Sequence, residues 1–294
     1  FKQWEQCGIL IHFESLLTTI GNEAGMLEDF EYTMRYLNRR VYITFELLEE
    51  EWFVNPSIVQ YPIPKVSNSS WGDVSLEENR IIIKWGLKEP LFNLLPSSLK
   101  KEKAFVTIYS CLTNQGINEQ QSVAIYRNST QLQEEINAEQ IITIQKYFVS
   151  FSSFVTKYPN IDMSNTAEIL SKIKTIIESS RCEKNVEILP LIADFVRRIG
   201  GLRCTLCKSG KDRTSMAVTW EQGRWLSRVA PDTPSGRIMD IVNDMRLEGV
   251  RIQNAFKNIG KQKFAFNSLQ RKYLPGPYKV PKRITSGMWQ TIST

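Results

Sequence analysis

The stretch from residue 202 to residue 222 constrains the fold of this chain more than any other part of its 294 residues. Residues 202–206 (Leu-Arg-Cys-Thr-Leu) are short and partly β-branched, which predicts a buried strand. Residues 207–214 read Cys-Lys-Ser-Gly-Lys-Asp-Arg-Thr, and the residues that follow have the pattern of a helix. A tight loop between a strand and a helix N-terminus gathers inward-pointing N–H groups and the positive end of the helix dipole. The stretch therefore predicts an anion cradle within an α/β fold.

Cys207 opens this loop and Arg213 lies six residues later, which is the C-x5-R spacing used for phosphoryl transfer through a cysteinyl-phosphate. A thiol is nucleophilic as its thiolate, and a helix N-terminus with nearby cations lowers its pKa from about 8.5. The planar guanidinium can hold two equatorial phosphate oxygens and follow their charge into the transition state. The spacing predicts a cysteine-phosphatase-like fold, with a central sheet flanked by helices and a strand–phosphate loop–helix active site. The alternative is a buried structural cysteine beside a surface arginine.

The rest of the loop supplies the expected substrate-binding residues. These are Lys208, Ser209, Gly210 and Lys211, with Thr214 directly after the arginine. The arginine and the backbone satisfy one phosphate, so two further cations indicate a substrate that carries additional phosphates. Thr214 either assists hydrolysis of the phosphoenzyme or caps the helix.

A second polar stretch follows another predicted strand, at residues 105–112. It contains Asn118, Glu119 and Gln120, and loops at strand ends commonly carry sites. The stretch is either a second loop of the site or a helix N-terminus that Asn118 caps. Residue chemistry alone leaves these two readings even.

Charge is unevenly distributed along the chain. Residues 201–294 contain 17 Lys/Arg and 6 Asp/Glu, a net of +11, whereas the first 200 residues contain 20 basic and 25 acidic groups, a net of −5. This asymmetry predicts a polyanionic partner, and we expect the basic C-terminal third to contact an anionic membrane surface. Basic residues among aromatics also suit RNA, but no RNA-binding signature occurs, so we expect no nucleic acid. A solvated basic face is the remaining alternative.

Cysteine and histidine usage argues against other classes of protein. Five scattered cysteines indicate a reducing compartment and no disulfide scaffold. Cys204 and Cys207 form a C-x-x-C, but a phosphate-cradle sequence follows it where a redox motif would not have one. The single histidine, His12, argues against a zinc site, so we expect no metal and no cofactor. The apolar runs are far shorter than the ~20 residues that span a bilayer, and no signal peptide is evident, which predicts a cytoplasmic protein.

The organisation of the chain favours one domain over residues 1–294. Because the chain begins at Phe1, we expect it to be a fragment of a longer protein. The pattern predicts helix for most of residues 1–40, strands at 41–47 and 81–85, a loop at 55–72, helices at 131–151, 166–179 and 190–199, and a surface course for the last twenty residues.

Four motifs together resemble one known family. C-K-S-G-K-D-R-T-S-M, followed by V-T-x-E-Q, resembles the catalytic signature of the inositol polyphosphate 4-phosphatases. G-I-N-E-Q-Q at 116–121, R-x-E-G-x-R-I-x-N-x-x-K-N-I at 246–259 and K-x-A-F-N at 263–267 resemble further stretches of that family. The family usually has alanine where this chain has Gly210, and the glycine is shared with bacterial effector phosphoinositide phosphatases. The downstream matches favour the 4-phosphatases.

The resemblance implies a specific activity. The family removes the 4-phosphate of phosphatidylinositol 3,4-bisphosphate to give phosphatidylinositol 3-phosphate, and its loop chemistry implies a cysteinyl-phosphate intermediate. It also implies phosphoinositide lipids as partners and peripheral association with endosomal or plasma membranes. Two alternatives stay open: a bacterial-effector-like phosphatase of different ring specificity, and a catalytically silent phosphoinositide-binding scaffold. The animal members also carry an N-terminal C2-type region without a counterpart here, which fits a catalytic fragment.

Asp212 has a possible role through a second resemblance. It is similar to the aspartate that precedes the arginine in the myotubularin loop, where that residue is proposed as the general acid. The leaving inositol oxygen needs a proton, and in a chain with one histidine a carboxylic acid is the expected donor. An ion pair that stabilises the loop is the equally weighted alternative.

Overall fold

The computed structural model describes residues 1–47, 57–60, 81–101, 104–158, 160–179, 183–230 and 237–286. The helices are α1 (Lys2–Cys7), α2 (Asn22–Arg40), α3 (Glu89–Asn93), α4 (Glu119–Tyr126), α5 (Gln131–Val155), α6 (Thr166–Ser179), α7 (Ile188–Arg198), α8 (Asp212–Val229), α9 (Ile238–Glu248), α10 (Val250–Ile259) and α11 (Gln270–Tyr273). The strands are β1 (Ile9–Ser15), β2 (Val41–Leu47), β3 (Ser57–Gln60), β4 (Ile81–Leu87), β5 (Val106–Asn114) and β6 (Leu202–Leu206).

These strands form one sheet in the order β3-β4-β2-β5-β1-β6. The strands β5, β1 and β6 are mutually parallel, β4 is parallel to β2, and the direction reverses between β5 and β2. Ser15 at the end of β1 pairs with Asn114 of β5 and with Leu206 of β6. The loops that follow these three strands therefore meet at one edge of the sheet, where ligands of open α/β sheets commonly bind.

Strand β1 lies inside the molecule with apolar contacts on both faces. Leu10 belongs to the largest apolar core, which includes residues of α5, α7 and α8, whereas its neighbour Ile9 packs with Val41 and Phe45 of β2. Successive side chains of a strand point to opposite faces, so a strand covered on both faces carries a continuous apolar run. Helices thus flank the sheet, and the predicted mixed α/β class with a central sheet is confirmed.

Two expectations from the sequence are wrong, and a third is confirmed only in part. Helix was expected for most of residues 1–40, and α1 and α2 confirm it, but residues 9–15 form β1, because a strand buried on both faces lacks the alternation that identifies strands. Part of the predicted loop at 55–72 is strand β3, and the rest of that loop lies outside the described residues. Strand β6 was expected to be buried, but it lies at the edge of the sheet, with Leu202 and Cys204 exposed.

The C-terminal segment also departs from the predicted surface course. Within residues 275–286, Tyr278, Val280 and Ile284 are buried in the main core. In contrast, the strands predicted at 41–47 and 81–85 and the helices predicted at 131–151, 166–179 and 190–199 are confirmed with small shifts of their ends. His12 is fully buried and its Nε2 lies 2.8 Å from Thr113 Oγ1, as a core histidine should.

Arg246 holds the C-terminal segment against α8. Its side chain is fully buried, and it donates hydrogen bonds to Thr219 Oγ1 (2.9 Å) and to the carbonyl oxygens of Met216 (2.9 Å), Pro277 (2.7 Å) and Lys279 (2.9 Å). Burial lowers the pKa of Arg246 to about 10, against a small opposing effect of the Tyr278 hydroxyl. Neutral oxygens thus solvate this buried cation.

No helix among the described residues is both long and apolar enough to span a membrane.

Replacing Arg246 with alanine should destabilise the fold strongly, because four buried oxygens lose their donor. We expect the free energy of unfolding, measured by urea titration, to fall by about 3 kcal/mol. Arg283→Ala is the matched control, because Arg283 is exposed and lies 3.4 Å from an equally exposed Glu248. Equal small losses for both variants would contradict a structural role for Arg246.

Candidate active site

The three strand ends at the parallel edge are joined by backbone hydrogen bonds. The Leu16 N–H donates to the Leu206 carbonyl oxygen at 3.0 Å, and the Gln115 N–H donates to the Ser15 carbonyl oxygen at 2.9 Å. Residues 207–211, here named the cradle loop, leave β6 at this edge and lead into α8. The edge therefore brings the cradle loop close to the segments that follow β1 and β5.

Cys207 is buried at the start of the cradle loop and has a hydroxyl donor. Its side chain is 7% exposed, and Thr214 Oγ1 donates a hydrogen bond to Sγ at 3.1 Å. The N-cap of α8 is Lys211, and Thr214 lies within the first turn. The expectation that Thr214 caps the helix is therefore wrong, whereas contact with the sulfur fits its other expected role. The sulfur of Cys207 is thus held by a hydroxyl from the first turn of α8.

Arg213 is fixed by a carboxylate from a distant part of the chain. Its Nη1 donates to Glu23 Oε2 and to the Leu16 carbonyl oxygen, both at 2.8 Å, and its Nη2 donates to Glu23 Oε1. Glu23 also accepts hydrogen bonds from the N–H (2.9 Å) and hydroxyl (3.0 Å) of Thr18. Sequence reasoning missed Glu23, because residues 9–15 were not identified as a strand and no local pattern placed the start of α2 beside the cradle loop.

The pKa values of this pair follow from burial and mutual attraction. Burial opposes ionisation of Arg213, but the hydrogen bond and charge of Glu23, with smaller effects of Cys207 and Asp212, raise the pKa of Arg213 above its ordinary value. Burial likewise raises the pKa of Glu23, but the bonds and charge of Arg213 and the bonds from Thr18 outweigh burial and lower that pKa overall. Both groups are therefore charged at neutral pH.

Lys211 and Asp212 lie side by side between the loop and α8. Lys211 is 3% exposed, and its Nζ lies 3.5 Å from Asp212 Oδ2 but has no hydrogen-bond partner among the described residues. Asp212 Oδ1 accepts a hydrogen bond from the Ala265 N–H at 2.8 Å. Burial raises the pKa of Asp212, although the Ala265 bond, Lys211 and Arg213 oppose the rise.

The remaining loop residues lie at the surface. Lys208, Ser209 and Gly210 are exposed. Gly210 has φ +63°, a left-handed conformation that glycine adopts without strain, and a Cβ there would meet no atom within 4 Å. Glycine at this position therefore relieves backbone strain and does not make room for a neighbour.

Arg251 of α10 fixes the outer side of the cradle loop. Its Nε donates to Ser215 Oγ at 3.0 Å, and its Nη2 donates to the Gly210 carbonyl oxygen. The Ser215 hydroxyl in turn donates to the Lys211 carbonyl oxygen. Burial lowers the pKa of Arg251, and the nearby Cys207 partly offsets this. The sequence motif at 246–259 included Arg251, but motif reading assigned it no role.

The second polar loop makes its hydrogen bonds with another segment. Glu119 Oε1 accepts from Gln270 Nε2 at 2.7 Å, and the Asn118 carbonyl oxygen accepts from Lys184 Nζ at 2.9 Å. Burial lowers the pKa of Lys184 to about 8, and the charge of Glu119 partly opposes this. Asn118 is the N-cap residue of α4 but makes no side-chain capping bond, and Gln120 is exposed. These contacts run to α11 and its surroundings, and a role in substrate binding stays a prediction.

The geometry defines an α/β domain with a buried cysteine, a fixed arginine and further cations at the parallel edge of its sheet. The sequence model described as the INPP4A C-terminal domain matches residues 1–278, so the chain belongs to that family. The resemblance stated from the motifs is thereby confirmed.

Individual relatives agree with this assignment. The chain is 33% identical, over 96% of its length, to the type II inositol 3,4-bisphosphate 4-phosphatase of Pongo abelii and to the inositol polyphosphate 4-phosphatase type II of Homo sapiens. It spans 28% of the length of each of these proteins. It is also 25% identical, over 92% of its length, to the phosphatidylinositol 3,4,5-trisphosphate-dependent Rac exchanger 2 protein of Homo sapiens, and spans 18% of that protein.

Arg251→Ala should weaken the binding of a simple oxyanion to the cradle, because the Gly210 carbonyl is released and a positive charge is lost. We expect tungstate affinity, measured by calorimetry, to fall about tenfold. Arg251→Lys keeps the charge but cannot hold both acceptors, so it should recover only part of the loss. Full recovery by lysine would show that charge alone matters and that Arg251 does not position the loop.

Proposed function

We propose that this domain is a cysteine-dependent phosphoinositide phosphatase that converts phosphatidylinositol 3,4-bisphosphate to phosphatidylinositol 3-phosphate. The observation that carries the proposal is the position of the buried Cys207 at the start of the cradle loop. Its Sγ lies 3.1 Å from the hydroxyl of Thr214, which directly follows the fixed Arg213 in the first turn of α8. Relatives named as an inositol 3,4-bisphosphate 4-phosphatase and an inositol polyphosphate 4-phosphatase support an inositol phosphate headgroup and the ring position.

The proposed reaction has two steps. In the first, Cys207 Sγ attacks the phosphorus atom, the bond from phosphorus to the inositol oxygen breaks, and a general acid gives that oxygen a proton. In the second, the deprotonated acid takes a proton from water, the water oxygen attacks the phosphorus atom and the P–S bond breaks, which releases inorganic phosphate and restores both the thiolate and the acid. Arg213 holds two equatorial oxygens throughout, and Glu23 keeps its guanidinium in place without a rearrangement during the reaction.

Lys211 supports a substrate with more than one phosphate. A buried ammonium without a hydrogen-bond partner among the described residues is costly unless a ligand completes its shell. Lys208 lies at the exposed mouth of the same loop. A second phosphate on the inositol ring would give Lys211 the hydrogen-bond partner it lacks among the described residues, and Lys208 would add a second positive charge at the mouth of the loop.

Asp212 has support for each of its two expected roles. Burial raises its pKa, as a general acid needs. Its bond to the Ala265 N–H and its proximity to Lys211, at 3.5 Å, equally suit a group that stabilises the loop. The pH dependence of turnover separates these roles, as set out below.

A silent phosphoinositide-binding scaffold is the second candidate function. A relative named as a Rac exchanger, and not as a phosphatase, favours it. Against it stand Cys207 and Arg213, since a scaffold has no use for a nucleophile beside an anion site. A phosphatase of different ring specificity, suggested by Gly210, differs from the main proposal only in its product.

We also propose a cytoplasmic protein that associates peripherally with endosomal or plasma membranes through its basic C-terminal third. Besides Lys208 in the cradle loop, the exposed lysines of that third are Lys257, Lys261, Lys263, Lys272 and Lys282. Arg271 is half-buried, and its Nε donates to the Val280 carbonyl oxygen at 2.6 Å, so it serves the C-terminal segment.

Phosphate release should be measured across a panel of phosphoinositides, with the lipid products identified. We expect phosphatidylinositol 3,4-bisphosphate to be the best substrate and phosphatidylinositol 3-phosphate its product.

Cys207→Ser should lower turnover at least about a thousandfold and abolish acid-trapped phosphoenzyme, because a hydroxyl is a far poorer nucleophile. Cys204→Ser is the matched control, since Cys204 is exposed on β6. Substantial turnover by Cys207→Ser would refute the covalent mechanism, and no turnover of any lipid by the unmodified chain would favour the scaffold.

Asp212→Asn tests the general acid through the pH profile. An acid must be protonated, so kcat/KM for the lipid falls as pH rises through its pKa, and burial places that fall above the ordinary aspartate value of about 3.9. We expect the variant to lose about a hundredfold in lipid turnover and to lose this alkaline limb, while esters with good leaving groups are spared. Equal losses on both substrate classes would assign Asp212 a structural role and make Glu119 the next residue to test.

A further inference from the structure

Residues 249–273, here named the rim segment, follow the edge of the sheet that carries the cradle loop. At its start, Arg251 donates to the Gly210 carbonyl oxygen of the cradle loop. Further along, the Ala265 N–H donates to Asp212 Oδ1 at 2.8 Å. These two bonds place the rim segment directly beside the cradle.

The end of the rim segment packs on the neighbouring loop of the same edge. Gln270 Nε2 donates to Glu119 Oε1 at 2.7 Å, and the Tyr273 carbonyl oxygen accepts from Lys184 Nζ at 2.9 Å. The rim segment thus runs from the loop after β6 to the loop after β5. The exposed side chains of the rim segment therefore belong to the part of the surface that adjoins the cradle loop.

The outward side chains of the rim segment are apolar and basic. Val250 is 75% exposed, Phe256 51%, Leu269 58% and Tyr273 50%. Leu269 and Tyr273 are four residues apart across α11, a spacing that puts two side chains on the same face of a helix. The exposed charged residues of the rim segment are Lys257, Lys261, Lys263 and Lys272.

Acidic residues are absent from this part of the chain. Residues 249–294 contain no aspartate and no glutamate. A surface that only needs to stay hydrated would mix both signs of charge and avoid exposed large apolar side chains. Lysines among leucine and aromatic side chains instead suit the interface of an anionic bilayer, where apolar groups enter the acyl boundary and lysines contact headgroups.

We propose that Phe256, Leu269 and Tyr273 insert into the interfacial layer of an anionic membrane, with the rim lysines on its headgroups, so that the cradle faces the bilayer. This rests on the proposed function in one respect: an inositol lipid can reach a buried cysteine only where the surface around that cysteine meets the membrane. An acidic protein is the competing occupant, and it would need the lysines but no penetration of lipid.

Vesicles of phosphatidylcholine with phosphatidylserine, free of phosphoinositides, test the surface without any turnover. Leu269→Ser with Tyr273→Ser should weaken sedimentation with these vesicles about tenfold, and the deficit should persist at ~1 M salt, where the Debye length is ~3 Å. The matched control is Ile142→Ser with Val149→Ser on α5, which are 49% and 66% exposed outside the rim segment. Equal effects of the two double variants would overturn the proposal.

Penetration itself is measured by tryptophan quenching. Leu269→Trp should gain fluorescence quenching by brominated lipids relative to the unmodified chain, whereas Val149→Trp should not. Absence of extra quenching at residue 269, with binding abolished by salt, would overturn the proposal in favour of a purely electrostatic contact or an acidic protein.

The design separates this inference from the proposed function. Turnover of a short-chain, water-soluble phosphoinositide reports on the cradle and should be unchanged in Leu269→Ser with Tyr273→Ser. Quenching at residue 269 without turnover of any lipid would contradict the proposed activity and support the membrane-contacting surface. Turnover without quenching would support the proposed activity and contradict the membrane-contacting surface.

Discussion

The ion pair between Arg213 and Glu23 is the interaction on which the site depends. It joins the first turn of α8 to the first turn of α2 across the end of β1, and both partners are largely buried. Removing one partner of such a pair leaves a buried charge uncompensated, which costs several kcal/mol. The pair also neutralises Arg213 before any ligand arrives. Positive potential at the cradle therefore comes from Arg251, whose acceptors are neutral, and from the N-terminus of α8, and the proposed phosphate site would depend on these in addition to Arg213.

The parts of the site that sequence could predict are those close together in the chain. The strand, the cradle loop and the helix N-terminus fall within residues 202–222, so their spacing alone indicated an anion site, and the structure brings Cys207 and Thr214 into contact. Glu23 lies 190 residues before Arg213, and no local pattern ties the two together. Arg251 reaches the cradle loop from 41 residues beyond Gly210. Contacts of this kind depend on the order of the strands, which a single sequence does not reveal.

The misread strand explains the largest omission. Leu10 and Ile9 face different cores, so β1 shows no alternation, and it was not identified as a strand within a region expected to be mainly helix. With β1 unrecognised, the three parallel strand ends could not be placed together, and the start of α2 had no reason to be near the cradle. The position of β6 was also predicted wrongly. Its short, partly β-branched sequence predicted a buried strand, but among the described strands it pairs only with β1 and so lies at the edge of the sheet. Local composition predicts that a strand exists more readily than where it lies in a sheet.

In the basic C-terminal third, the arginines and the lysines differ in their contacts and in their exposure. Most of the arginines bind internal acceptors: Arg203 bonds to Glu14, Arg224 and Arg228 bond to Asp194, and Arg246 bonds to four neutral oxygens. Most lysines are exposed, as expected for a compact, strongly hydrated charge on a flexible stem. The arginines with internal partners therefore contribute little to the attraction of an anionic partner. The exposed lysines contribute most of it. Lys211 breaks the pattern, because it is a buried lysine without a hydrogen-bond partner among the described residues. Its Nζ lies 3.5 Å from Asp212 Oδ2 but makes no hydrogen bond there, so an oxygen of the proposed phosphate substrate would complete the shell of this cation.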